Sequence, residues 1–134
     1  MKTFTLELLD STRSEEIAGV TSFVGEDSSG SFGILAGHDR LMTLLLAGLA
    51  RFRIGDGPWS YLAMPGALLR FERNRLTLST RRYLLDEDYT RIHKALHEQL
   101  LAEEHKLINM TQSLQRMEES VLRKLWEMGR QERT

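Results

Sequence analysis

The hydrophobic period of this chain changes once, near Leu85, and that change restricts the fold more than any other feature. Before it, apolar residues alternate in short runs. After it they recur every three or four positions, with neither Pro nor Gly from Leu85 until Gly129. Period two belongs to strands, whose successive side chains face opposite ways, and the longer period belongs to helices. The 134 residues therefore divide into a β module, 1–85, and an α-helical module, 86–134.

The first module supplies strand pairs with turn chemistry between them. Phe4, Leu6 and Leu8 alternate with Thr3, Thr5 and Glu7, and 19–25 form a short β-branched and aromatic run. Leu49, Phe52 and Ile54 surround Arg51 and Arg53, then Gly55-Asp56-Gly57 leads into a second run, which is a hairpin signal. Residues 67–72 and 75–80 make another pair across Arg73-Asn74. At least eight short strands with regular turns predict an antiparallel β-sandwich or barrel. The apolar run 41–47 reads equally as a buried strand or a helical turn.

In the second module Asp86 or Asp88 is placed to cap a helix. Steps of four and three from Tyr89 reach Leu96, Leu100, Leu107, Met110, Leu114, Met117, Val121 and Met128, interrupted by His93, Glu103 and Lys124. This is a heptad-like seam. A straight helix of about 43 residues would be about 64 Å long. Either it folds back, weakest over Asn109 to Ser113, or it lies along a partner.

Composition removes several function classes. There is no cysteine, so disulfides and thiolate metal sites are absent. A formal charge of −1 gives no long-range attraction for nucleic acid or an anionic membrane. The longest apolar run, Leu41 to Ala50, is too short for a bilayer, which takes about 20 residues, and the start is unlike a signal peptide. A soluble chain is expected. His93 and His97 stand four apart, but Lys94 occupies the place of a metalloprotease glutamate and a third ligand is missing, so no metal is expected. None of the serines sits in a Gly-x-Ser-x-Gly elbow, and no acidic pair has an apolar pocket, so no catalytic residue is assigned. The arginines at 51, 53, 70, 73, 75, 81 and 82, interleaved with Phe52 and Phe71, read as the wet face of a sheet rather than an RNA-binding one.

One stretch is left, Gly30-Ser31-Phe32-Gly33-Ile34-Leu35-Ala36-Gly37-His38. A phosphate loop needs Lys-Ser/Thr after its last glycine, but here His38-Asp39 follow, and no Gly-x-Gly precedes a helix. Glycine-shaped turns that project Phe32, Ile34 and Leu35 suit a core contact or a docking tip. The stretch, with Leu41, Thr43 and Gly48, resembles the Gly-x-hydrophobic-Gly-Ile-hydrophobic-Pro-Gly-His signature of the epsilon subunit of rotary F-type ATP synthases. The order of parts is similar along essentially the whole chain.

The resemblance implies a ten-stranded β-sandwich followed by a C-terminal long helix or helical hairpin, and a non-catalytic subunit without a cofactor. It implies a central stalk in which the sandwich holds the gamma subunit and the c-ring, peripheral to the cytoplasmic face of the inner membrane. By this resemblance Gly30, Ser31, Phe32, Gly33, Ile34, Leu35, Gly37 and His38 form the c-ring-facing loop. The helix is then a regulatory element, with Arg116, Arg123, Lys124 and Arg130 as candidate contacts to catalytic beta subunits and a restraint on ATP hydrolysis. Asp88 and Arg91 match a fragment of an ATP-binding motif found in some members, with Ile92 where that motif has Ala. Ala36 replaces the usual proline, Ser31 a common acid, and Pro65-Gly66 a glycine pair. The Met-rich second module without an Ala-rich helix pair is similar to the alternate, N-type branch. The rival reading is a free-standing interaction module that dimerises through the helical seam.

Overall fold

The computed structural model describes residues 2–132, except for the side chains of 104 and 128–132. Nine strands come first: β1 (Phe4–Leu9), β2 (Ser14–Asp27), β3 (Gly30–Leu35), β4 (Leu41–Leu45), β5 (Gly48–Ile54), β6 (Trp59–Met64), β7 (Ala67–Glu72), β8 (Arg75–Ser79) and β9 (Leu84–Asp86). A helix follows as α1 (Tyr89–Ala95), a π-helical turn (Leu96–Leu100) and α2 (Leu101–Glu132).

The strands form two layers that share β2. Its first half pairs with β1, beside β8, β7 and β4; its second half lies between β3 and β5, followed by β6 and β9. The pairing of β2 shifts register near Val20, next to Gly19 at φ 74°. Such an irregularity bends a strand from one layer into the other. One 14-residue strand therefore serves both layers, and the count is nine where the resemblance implied ten. The pairing is antiparallel, except that β1 runs parallel to β8.

Alternation decides what enters the core. Phe4, Leu6 and Leu8 of β1 are buried, as are Leu69 and Phe71 of β7 and Leu76 and Leu78 of β8. Phe23, Ile34, Phe52, Leu62 and Tyr83 close the same cluster. Each fully buried side chain of this size contributes about 1.5–3 kcal/mol relative to exposure. The turn between β7 and β8 has Arg73 and Asn74 at φ 54° and 58°. Two successive left-handed residues twist a hairpin in the sense its strands require. The run 41–47 resolves as a strand, β4, over its first five residues.

Asp88 caps the helix. It is extended (φ −90°, ψ 109°) and its carboxylate accepts the amide hydrogen of Arg91 at 3.0 Å. Ile92, Leu96 and Leu100 then bury against Ala63, with Leu49, Tyr61 and Leu84 alongside. Residues four apart drift by about 40° per step on an α-helix. The wider π turn offsets that drift and keeps Leu96 and Leu100 on the sheet.

Two compact units result, Met1–Leu101 and Ala102–Thr134. The first is the sandwich with the start of the helix. In the second the helix runs unbroken through Asn109 to Ser113, where Thr111 Oγ1 donates to the Leu107 carbonyl at 3.0 Å. Every described side chain from 102 to 127 is exposed. Among the described residues no helix is long and apolar enough to cross a membrane.

Candidate interaction surfaces

The stretch expected to be one projecting loop is a strand with a turn at each end. Gly30–Leu35 pairs residue for residue with β2, from Asp27 opposite Gly30 to Ser22 opposite Leu35. Its glycines look like turn residues, but only Gly30 and Gly37 have positive φ, 120° and 82°. Gly33 lies within the strand. Ile34 is fully buried and Phe32 packs against the core, while Leu35 is 62% exposed. A strand of six residues separates the Gly30 and Gly37 turns by about 20 Å.

Different neighbours fix the two turns. At the first, Asp27 accepts from Ser29 N at 2.9 Å and Thr43 Oγ1 at 2.7 Å. Hydrogen bonds from Ser29 and Thr43 hold its carboxyl below the usual range. At the second, Gly37 N donates to Asn74 Oδ1 at 2.6 Å and His38 N to the Leu35 carbonyl at 3.1 Å. The His38 ring stands edge-on to Phe71 with centroids 5.8 Å apart. Ser31, Gly33, Leu35, Gly37 and His38 are exposed.

Asp88 and Arg91 both serve the start of the helix. The Arg91 guanidinium grips Asp86, Nε to Oδ2 at 2.5 Å and a second nitrogen to Oδ1 at 2.7 Å. Asp88 N donates to Asp86 Oδ1 at 2.9 Å. The Arg91 contact, then the Asp88 amide, hold the Asp86 carboxyl far below its ordinary range, and the same contact raises Arg91. This knot joins β9 to α1.

Along α2, Arg116, Arg123 and Lys124 are exposed; Arg130 lies outside the described side chains. The seam residues Leu107, Met110, Leu114, Met117 and Val121 are exposed too. So are Ile108, Leu122, Leu125 and Trp126, which the seam did not include. They widen the apolar arc beyond a two-stranded coiled-coil stripe.

Two sandwich features go beyond the sequence reading, which named Arg51 and Arg53 without the ring beside them. On the outer face of β4 and β7, Met42, Leu44 and Leu68 are exposed, with Leu44 opposite Leu68 and Met42 opposite Arg70. The apolar run signalled Met42 and Leu44 without telling which of its residues faced outward. On β5 and β6, Arg51 and Arg53 flank the Trp59 ring. His93 and His97 lie with ring centroids 4.6 Å apart, and no group of three or more His, Asp or Glu among the described residues is arranged to hold a metal.

The family model for the ATP synthase Delta/Epsilon chain beta-sandwich domain matches residues 3–85. The chain is 41% identical over 85 residues to ATP synthase epsilon chain 2 of Cereibacter sphaeroides, across 63% of this chain and 58% of that one. The match therefore spans less than two thirds of that relative. A second relative, the ATP synthase epsilon chain of a Psychrobacter species, is 31% identical over 116 residues, 83% of this chain and 84% of the relative. Among solved structures, a chain of the Euglena gracilis mitochondrial ATP synthase OSCP/F1/c-ring complex has TM-score 0.59 at 18% identity, covering 73% of this chain and 64% of its own. A chain of the Tetrahymena thermophila mitochondrial ATP synthase central stalk and c-ring has TM-score 0.52 at 11% identity, covering 63% and 69%. At these identities the structural likeness is one of fold.

Proposed function

The chain belongs to the ATP synthase delta/epsilon β-sandwich family, and from that premise we propose that it is an epsilon subunit in the central stalk of a rotary F-type ATPase. In this role it is not a catalyst. Its sandwich holds the gamma subunit and the c-ring, and it sits peripherally at the cytoplasmic face of the inner membrane. A part that turns between two partners must be stiff, and the observation that carries the reading is the coincidence of the 3–85 match with the nine-stranded body.

Of the two turns bounding β3, the c-ring contact is assigned to one end only, because a strand's length separates them. The Gly37–His38 turn is tied to the rest of the sandwich through Asn74, and the Gly30 turn through Asp27 and Thr43. The exposed arc of α2, with Arg116, Arg123 and Lys124, is the proposed regulatory contact with catalytic subunits. Asp88 and Arg91 could meet a nucleotide only by giving up the cap and the Asp86 pair. The N-type branch is supported by the Met-rich helix without a break and by similarity to a relative numbered as a second epsilon chain.

Co-expression with the gamma and c subunits tests the assignment: the chain is expected to co-purify with both in equal amount with gamma. Recovery of gamma and c-ring without it would overturn the stalk role. The exposed seam also favours a second reading, self-association through α2. A stable dimer of the isolated chain, abolished by Leu114→Glu/Val121→Glu, is the outcome that distinguishes it.

A further inference from the structure

The outer face of the β3–β2–β5–β6 layer carries a group of side chains that the stalk assignment does not use. Arg51 and Arg53 are alternate residues of β5, and their cross-strand partners on β6 are Tyr61 and Trp59. All four therefore share one face. The Trp59 ring lies 4.4 Å from the Arg51 Cζ and 5.3 Å from the Arg53 Cζ. A guanidinium held beside a ring keeps N–H groups for a carboxylate, which for Arg53 are those of its terminal nitrogens because Nε is buried.

Charge balance leaves these two arginines, like Arg73 elsewhere on the sandwich, without a salt-bridged carboxylate among the described residues. Arg13, Arg40, Arg70, Arg75 and Arg91 each have a carboxylate partner. Arg51 and Arg53 have none among the described residues, and Arg53 Nε is buried with no hydrogen-bond partner. Beside them is a groove of about 230 Å³ whose lining includes Val24, Glu26, Ser31, Arg51, Tyr61 and Tyr89. The Tyr61 and Tyr89 rings meet edge to face at 5.4 Å. Arg51 and Tyr89 are exposed, and Arg53, Trp59 and Tyr61 are half-buried beside them; Trp, Tyr and Arg together form the composition of an interface centre.

We infer that this face docks an acidic, extended polypeptide segment, with carboxylates at alternate positions on Arg51 and Arg53 and an apolar side chain against Tyr61 and Tyr89. Alternate residues of a strand stand about 7 Å apart, so acids spaced two apart on an extended partner match the two guanidiniums. Nucleic acid fits less well. Two cations, with Glu26 lining the same groove and Asp56 close in sequence, are no continuous phosphate track. The inference stands independently of the stalk assignment.

Fluorescence titration of the full chain tests it. Trp126→Phe leaves Trp59 as the single tryptophan reporter. The probes are a short peptide alternating Glu and Val, its Gln/Val counterpart and a thymidine oligonucleotide. At low salt the Glu peptide is expected to bind about tenfold more tightly than the Gln peptide, and added salt should erase the difference. Arg51→Gln/Arg53→Gln should abolish the preference. Arg51→Gln alone, which leaves the buried Nε undisturbed, should weaken it several-fold with an unchanged melting curve. Equal binding of both peptides, a preference that survives the double variant, or one undiminished by Arg51→Gln overturns the inference. Tighter binding of the oligonucleotide also overturns it, in favour of a nucleic-acid surface.

Discussion

The side chain of Asn74 holds the Gly37 amide at 2.6 Å across 37 residues of chain, while its own carbonyl accepts from Thr5 N at 3.1 Å. One residue of a hairpin turn thus ties β1, the β3–β4 turn and the β7–β8 turn together. Asn74 sits at φ 58°, where Asn is tolerated better than other residues with a Cβ. Asn74→Gly keeps the backbone shape and loses the side-chain bond, costing about 1 kcal/mol. Asn74→Ala loses both and should cost about 2 kcal/mol. Urea unfolding of the two variants measures the difference. Equal stability would mean that the backbone conformation carries no strain.

Acid should loosen the start of the helix through Asp86. Its folded pKa lies below the ordinary carboxylate value because of Arg91 and the Asp88 amide. As pH falls, the unfolded chain, with a pKa of about 3.9, takes up the proton first. The contribution is therefore complete above about pH 5 and is lost progressively as pH falls toward the folded value. Asp10, held low by the Thr12 amide, and Glu72, held low by Arg70, act with the same sign. Asp86→Asn should flatten part of this decline and speed hydrogen exchange at residues 88–92 even at neutral pH. An unchanged acid slope would count against the knot.

Leu96 belongs to a small cluster separate from the main core. Leu96→Ala should cost about 3 kcal/mol locally, since Leu96 is 4% exposed against Ala63 and its neighbours. Hydrogen exchange is expected to lose protection over 89–101 while β1, β7 and β8 stay protected. Leu78→Ala, in the main core, should lower protection throughout the sandwich instead.

Local patterns were legible in the sequence; long-range pairing was not. The change of period lies within β9, Leu84–Asp86, and Asp88 caps the helix as its residue type and place suggest. The Gly30–Leu35 stretch reads as a loop because three glycines resemble turn signals. It is a strand because β2 offers it a complete ladder. The parallel β1–β8 pair joins Leu6 to Leu76 and leaves no mark in either segment. Arg51 and Arg53, read as a wet row, do share one face, with Arg51 exposed and Arg53 half-buried. Their relation to Trp59 depends on the β5–β6 register, which decides which ring stands opposite Arg53. The π turn likewise answers to the packing of Leu96 and Leu100, beyond any propensity of its own residues.

The last prediction concerns where the folded body ends. A cut after Leu85 removes Asp86 from β9 and takes Ile92, Leu96 and Leu100 off the sheet, uncovering Ala63, Leu49 and Leu84. A cut after Leu101 keeps all of these contacts, and every described side chain that it removes is exposed. We therefore expect residues 1–101 to melt within a few degrees of the full chain. Residues 1–85 should still melt cooperatively, because the larger core is complete by Tyr83, but with several kcal/mol less stability. Thermal denaturation followed by circular dichroism compares the three chains. If residues 1–85 show no cooperative transition, the first turns of the helix are part of the β body, and the division falls after Leu101.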